Sequence, residues 1–114
     1  MAVKTLFQRI MDGEIPAEIV YEDEICIAFR DIAPKAPTHI LVVPRKPIPR
    51  LDVLTPEDAP IIGHLFLAAK QIAANEGLVN GYRTVFNCGE DAGQTVFHLH
   101  LHLMGGRSFA WPPG

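Results

Sequence analysis

His98-Leu99-His100-Leu101-His102-Leu103 alternates imidazole and leucine side chains over six positions. Successive side chains of a β-strand point to opposite faces, so three histidines share one face and three leucines the other. Read this way, the leucines bury against a core and the histidines line a surface about 13 Å long, at ~3.3 Å per residue. The chain has five histidines in 114 residues, and three fall within five consecutive positions. Packing alone explains that clustering poorly. Chemistry is expected here.

Working outward, the pattern predicts a strand over residues 95–104, preceded by another over 82–87. Between them lies Cys88-Gly89-Glu90-Asp91-Ala92-Gly93-Gln94, rich in turn formers and suited to lying against a ligand. Upstream, Ile61, Leu65, Ala68 and Ile72, with Ile62, Phe66, Ala69 and Ala73, recur at helical spacing and predict a long helix over about 56–76. Gly77 suits its C′ position. Two starts are open: Thr55 as N-cap with Pro56 at N1, or Asp58 as N-cap with Pro60 in the first turn. His64 lies on this helix without a sequence partner and reads as an ordinary helix histidine.

Earlier still, three strands are expected over 18–21, 25–29 and 39–43, with Glu22-Asp23-Glu24 as a hairpin turn. Asp31-Ile32-Ala33-Pro34-Lys35-Ala36-Pro37-Thr38 reads as a proline-pinned loop, and Pro44, Pro47 and Pro49 force an irregular path toward Leu51. Residues 5–13 predict a short helix with Thr5 and Gln8 at capping-box spacing and Gly13 as terminator. Its Phe7 and Ile10 suit either the core or one wall of a pocket. The order of elements gives an α+β domain: a five-stranded, mostly antiparallel sheet with one long and one short helix, spanning residues 1–114 as one unit.

Composition narrows the function classes. Hydrophobic residues at 48% and charged residues at 20% suit an ordinary globular protein. A net charge of −3 argues against broad nucleic-acid binding. The densest basic stretch, Arg45 to Arg50, is broken by prolines and reads as a solvated loop. Cys26 and Cys88 stand in apolar contexts with no CxxC spacing, so buried free thiols are expected rather than a disulfide or metal site. No leader-like or membrane-length apolar run is present, and the expectation is a cytoplasmic protein without a membrane partner.

Two chemistries fit the histidine face. HxH on a strand places two imidazoles on one zinc ion, but a zinc site needs a third protein ligand, and the sequence permits His39 without specifying it. Alternatively, a neutral imidazole is a nucleophile at pH 7, and its neighbours hold its tautomer, bind phosphate oxygens and move a proton. Gly93 before the stretch admits backbone N–H groups near a phosphate, and Gly105-Gly106 relieves crowding after it.

His98-Leu99-His100-Leu101-His102-Leu103 resembles the signature of the histidine-triad family. The likeness runs over about residues 4–114. Asp31 to Pro44 resembles the family's ribose-binding loop and following strand. Gly93-Gln94-Thr95-Val96-Phe97 and Gly105-Gly106-Arg107 resemble the branch of histidine-triad nucleotide-binding proteins, purine nucleoside phosphoramidases. The resemblance implies His100 as nucleophile, His102 as a phosphate contact, and His98 and His39 as orienting histidines. It implies Asp31 for the ribose hydroxyls, Ile32 beside the base, and Phe7, Ile10, Ile15 and Phe29 as the base pocket. Asn87, Gly93, Gln94 and Thr95 are implied around ribose, phosphate and leaving group, with Thr95 standing where many relatives carry serine.

The implied activity is hydrolysis of purine nucleoside 5′-phosphoramidates through a nucleotidyl-histidine, by a homodimer, with neither metal nor cofactor. The tail, residues 107–114, is expected to pack Trp111 across that dimer near the partner's site, or else back onto its own domain. Read without the resemblance, Asp31 and Asn87 are turn residues, and Phe7 and Phe29 are core. Two competing functions stand: a non-catalytic nucleotide-binding or regulatory module, and a dinucleoside-polyphosphate hydrolase.

Overall fold

Residue alternation along the middle strands decides where everything else goes. The computed structural model describes residues 3–114. Among these, the elements in chain order are α1 (Leu6–Met11), β1 (Ile19–Glu22), β2 (Cys26–Arg30), β3 (Thr38–Pro44), α2 (Ala59–Asn75), β4 (Tyr82–Val85) and β5 (Leu101–Gly105). The strands form one sheet in the order β1-β2-β3-β5-β4, with every neighbouring pair antiparallel. The α+β expectation holds, and predicted strand ends for β1 to β3 are off by about one residue.

Every residue of β3 is buried, as a central strand covered on both faces requires. One face carries Cys26, Ala28, Ile40, Val42, Leu101 and Leu103, which pack with Leu99 against Leu65, Ala68, Ala69, Ile72 and Ala73 of α2. The three alanines let the helix approach closely. Phe66, on the second predicted stripe, is 43% exposed, so that stripe is only partly buried. The opposite face carries Ile27, Phe29, Leu41 and Val43, joined by Phe7 and Ile10 from α1.

Both predicted starts of α2 are used, in different ways. Thr55 caps a 3-10 turn, Pro56–Asp58, that leads into α2. The Asp58 side chain accepts hydrogen bonds from Thr55 N and Lys46 Nζ, and leaves the first N–H groups of α2 uncapped. At the far end Leu78 N–H donates to Ala73 O and Gly77 N–H to Ala74 O, the six-to-one and five-to-two pattern of a Schellman ending, with Gly77 at φ +74°.

One expectation is corrected. The strand predicted over 95–104 is regular only from Leu101. In the β3–β5 register Val42 pairs with Leu101, which puts Pro44 opposite Leu99. Proline has no N–H to give the ladder. Leu99 N–H donates instead to Ile48 O at 2.7 Å, and the chain over 95–100 leaves the sheet. The alternation of faces survives this departure, because Leu99 still reaches the α2 core.

Leu101 is fully buried at the centre of that core. Leu101→Ala should lower unfolding free energy by about 2–5 kcal/mol through lost burial plus a residual cavity. Ile32→Ala, at a position 94% exposed, should change it by less than ~0.5 kcal/mol. Denaturant titration of both variants checks the contrast.

Candidate active site

The face opposite α2 gathers four histidines. Cross-strand pairing sets Leu41 beside His102, while His39 and Leu41 alternate on one side of β3. His98 and His100 arrive from the irregular segment before β5. His98 is 0% exposed, so the expected surface row of three imidazoles is corrected: one lies inside the protein.

Hydrogen bonds to backbone groups fix which nitrogen of each neutral ring carries the proton. A carbonyl only accepts, and an amide N–H only donates. Pro44 O takes a hydrogen bond from His98 Nε2 at 2.8 Å, so that proton is on Nε2. His98 O takes one from His100 Nδ1 at 2.7 Å, which leaves His100 Nε2 as a free lone pair. On the other side Lys35 N–H donates to His39 Nδ1 at 3.0 Å, placing the His39 proton on Nε2. His39 Nε2–H then donates to His102 Nδ1 at 2.9 Å, which leaves His102 with its proton on Nε2. The pair that results is a nitrogen with a free lone pair and an N–H donor on adjacent rings, 5.0 Å apart between centroids.

Burial keeps these rings neutral. Desolvation is the main cause at all four, and it holds His39, His98 and His100 below the ordinary histidine value. His102 is pushed down to about 4 by desolvation, then by the neighbouring His100 and His39, against the pull of Asp31.

A cleft of about 240 Å³ opens over His100 and His102. Phe7, Ile10, Ile15, Phe29, Asp31, Ile32 and Thr95 line it, together with Leu41 and Val96, which the sequence reading did not single out. Leu41 becomes legible once the β3–β5 register is known; it faces His102. The Phe7 ring meets the His100 ring edge-on at 4.7 Å. Asp31 Oδ1 accepts the Ala33 N–H, and its Oδ2 lies 3.6 Å from His39 Nε2. Asn87, Gly93 and Gln94 are not among the lining residues. Gln94 is buried, with Oε1 accepting from Gly89 N–H and Nε2 donating to Pro49 O and Val96 O. Asn87 Nδ2 donates to Ala92 O, and Gly93 closes the same turn at φ +88°. These three residues shape the loop that presents Thr95. A larger hollow of about 610 Å³ lies between Gly77–Arg83 and Gly106–Phe109, but it contains no histidine.

Two groups of metal-ligating side chains occur among the described residues, each with donor atoms within 4.8 Å of one another. Asp31, His39 and His102 form one, and a cation there competes with the His39–His102 hydrogen bond. The other is Asp23, Cys26 and His64. His64, read as an ordinary helix histidine, bonds Asp23 Oδ2 at 2.7 Å and ties α2 to the β1–β2 turn. Burial opposes the Asp23 charge, but hydrogen bonds from Cys26 and Ile25 N–H, His64 and Tyr21 outweigh it and hold the carboxyl below its usual range. Burial pushes the Cys26 thiol up to about 12. Both cysteines are free; Cys26 is buried as expected and Cys88 only half so.

Fold and site together define a small α+β protein built around a neutral histidine cluster beneath an apolar cleft. A model of the HIT domain matches residues 12–109, and the chain belongs to that family. It is 60% identical to an uncharacterised HIT-like protein of Synechococcus elongatus over the whole of both chains. Its structure is similar to that of a HIT family hydrolase from Legionella pneumophila, with a TM-score of 0.95 and 47% identity over 97% of this chain and 100% of that one. It is also similar to a histidine triad nucleotide-binding protein from Candida albicans, with a TM-score of 0.81 and 28% identity over 96% of this chain and 83% of that one. No described helix is long and apolar enough to cross a membrane.

The depressed histidine values carry a sign. Below pH 6.5 an unfolded chain protonates its histidines, whereas folded His102 stays neutral to about 4. The unfolded state therefore binds more protons, and stability must fall as pH drops through that window. Denaturant midpoints between pH 7.5 and 5, above most carboxylate titration, should decline steadily. His102→Gln should decline less steeply. Equal slopes for the two proteins would contradict the assignment.

Proposed function

We propose that this chain hydrolyses purine nucleoside 5′-phosphoramidates, such as adenosine 5′-phosphoramidate, to the nucleoside monophosphate and an amine. The observation that carries the reading is the free lone pair on His100 Nε2, held at the cleft by its own Nδ1–H bond to His98 O. That lone pair attacks phosphorus, the P–N bond breaks, and the electron pair leaves on nitrogen, which takes up a proton as the amine departs. His100 becomes a nucleotidyl-imidazolium, and the carbonyl facing its Nδ1–H stabilises the positive charge. Water then attacks phosphorus and releases one proton, which replaces the proton the amine took from solvent; the P–Nε2 bond breaks, and the monophosphate leaves with neutral His100 restored.

The remaining groups take supporting roles in this reading. His102 Nε2–H donates to a phosphate oxygen, with His39 fixing its tautomer. Asp31 receives the ribose hydroxyls at the cleft edge. Phe7, Ile10, Ile15 and Phe29, with Ile32 at the rim, hold the base. The Thr95 hydroxyl faces the leaving group. The Candida albicans neighbour, described as a nucleotide-binding protein, supports a nucleotide as ligand.

We also propose that two copies associate through β4. That strand is a sheet edge, and Phe66, Leu67, Val79 and Tyr82 are exposed apolar side chains on α2, on β4 and in the connection between them. Such an edge with apolar flanks suits pairing with a second copy. Trp111 does not fold back onto its own domain; it is 84% exposed. Its proposed place is against the partner copy.

Without the imidazole no covalent intermediate forms, so His100→Ala should lose at least ~100-fold in turnover, about 2.7 kcal/mol. Monophosphate binding should survive, and the wild-type protein should show a nucleotidyl adduct by mass spectrometry. Chelation should leave the wild-type rate unchanged; a loss restored by zinc would favour metal chemistry. Wild-type turnover in the variant would rule out the nucleophile. Deleting residues 108–114 should weaken self-association in sedimentation and reorder preference among leaving amines. If association and ranking both stay the same, the place assigned to Trp111 is wrong.

A further inference from the structure

Thr5 lies 93 positions from His98 in sequence, yet its hydroxyl sits 3.3 Å from His98 Nδ1. It is also the N-cap of α1. Its Oγ1 accepts the Gln8 N–H at 3.2 Å, and Gln8 Oε1 accepts the Thr5 N–H at 2.7 Å, so both halves of the capping box are closed. The hydroxyl proton is not used by the cap. His98 Nδ1 needs a donor, because the ring's proton is on Nε2, held by Pro44 O. The ring is 0% exposed, so bulk solvent does not reach Nδ1, and the Thr5 hydroxyl is the donor beside it. One oxygen therefore accepts from the helix and donates to the imidazole.

We propose that Thr5 is a positioning residue for His100, with its hydroxyl locking the His98 tautomer while it caps α1. The proposal rests on the nucleophilic reading of His100. The path is short: Thr5 Oγ1–H fixes His98, and the His98 carbonyl holds His100 Nδ1–H, which leaves Nε2 bare. A six-residue helix has no stability of its own and persists only through tertiary contacts. Phe7 of that helix meets His100 directly, and Ile10 lines the cleft. Seating of α1 thus builds the base pocket and sets the nucleophile in one event. A chain whose α1 is unseated loses both together.

Side-chain chemistry separates the two duties of Thr5. Serine keeps both. Asparagine caps through Oδ1 and donates through Nδ2. Aspartate caps equally well but only accepts, so it sets a lone pair against His98 Nδ1. Thr5→Ser and Thr5→Asn should fold with midpoints near wild type; Thr5→Asp keeps the cap and should fold with a lowered midpoint, because its carboxylate faces a buried ring. Long-range ¹⁵N–¹H correlation spectra of the histidine rings then read the tautomers directly. Wild type, Ser and Asn should show His98 protonated on Nε2 alone and His100 on Nδ1 alone. In Thr5→Asp, His98 should gain a proton on Nδ1 and become an imidazolium beside His100, whose own proton stays on Nδ1 against the His98 carbonyl. Turnover should fall ~10-fold in Thr5→Asp with KM little changed, the scale of one lost buried hydrogen bond, and stay within ~3-fold of wild type in the other two.

The ring spectra judge the proposal without any substrate. A wild-type His98 signal in Thr5→Asp would overturn it, as would an altered His98 spectrum accompanied by unchanged turnover. If the wild-type protein cleaves no phosphoramidate, the functional reading fails separately, and the His98 ring spectrum still decides whether the Thr5 hydroxyl locks that tautomer.

Discussion

The pairing of β3 with β5 is the constraint on which the rest depends. Val42 lies opposite Leu101, Ile40 opposite Leu103 and Leu41 opposite His102. A slip of one residue would turn the leucines toward the cleft and the imidazoles into the α2 core. Leu99, Leu101 and Leu103, all essentially buried, make that slip prohibitive. The same leucines that hold the sheet to its helix therefore aim His102 and, one residue before the strand, His100. Stability and chemistry share one alternation and cannot be tuned apart.

A cluster of four histidines in a small protein faces an electrostatic problem, since several imidazolium ions side by side would repel. Burial removes it by keeping the rings neutral, and His102 is held neutral to about pH 4. Neutrality creates a second requirement, because each ring then has one donor and one acceptor that must be matched. Backbone groups do the matching for three rings: Pro44 O for His98, His98 O for His100 and Lys35 N–H for His39. The His102 proton then follows from the His39 hydrogen bond. Among the described residues no buried side-chain nitrogen or oxygen lacks a hydrogen-bond partner. The proline that interrupts the ladder is thus also the residue whose carbonyl orients His98.

Much of this was legible beforehand, and the misses share a cause. The long helix, its Gly77 ending, the Thr5 capping box and the five strands all follow from local periodicity and cap chemistry, which neighbouring residues set. The apolar lining of Phe7, Ile10, Ile15 and Phe29 came from resemblance, and the structure does bring those side chains together. Other features were not legible because they depend on partners outside the local stretch. Residues 95–100 look like a strand until Pro44 is seen opposite Leu99. Nothing local to Gln94 shows that its side-chain amide is bonded to Gly89, Pro49 and Val96. His64 looks solitary until the fold brings Asp23 to it from 41 positions away.

By itself, then, the sequence determined the elements, the family and the split between a leucine face and a histidine face, because side-chain alternation and helical spacing are properties of consecutive residues. It could not determine which nitrogen of each histidine bears the proton. For His98 and His102 that property belongs to contacts between segments distant in sequence: Thr5 and Pro44 with His98, and His39 with His102. His39 and His100 are set nearby, His39 by Lys35 N–H and His100 by His98 O, two residues before it, which takes its Nδ1 proton. What only the tertiary structure decided is that His100 Nε2, left free by that local bond, opens onto the cleft, because α1, β3 and β5 come from distant parts of the chain.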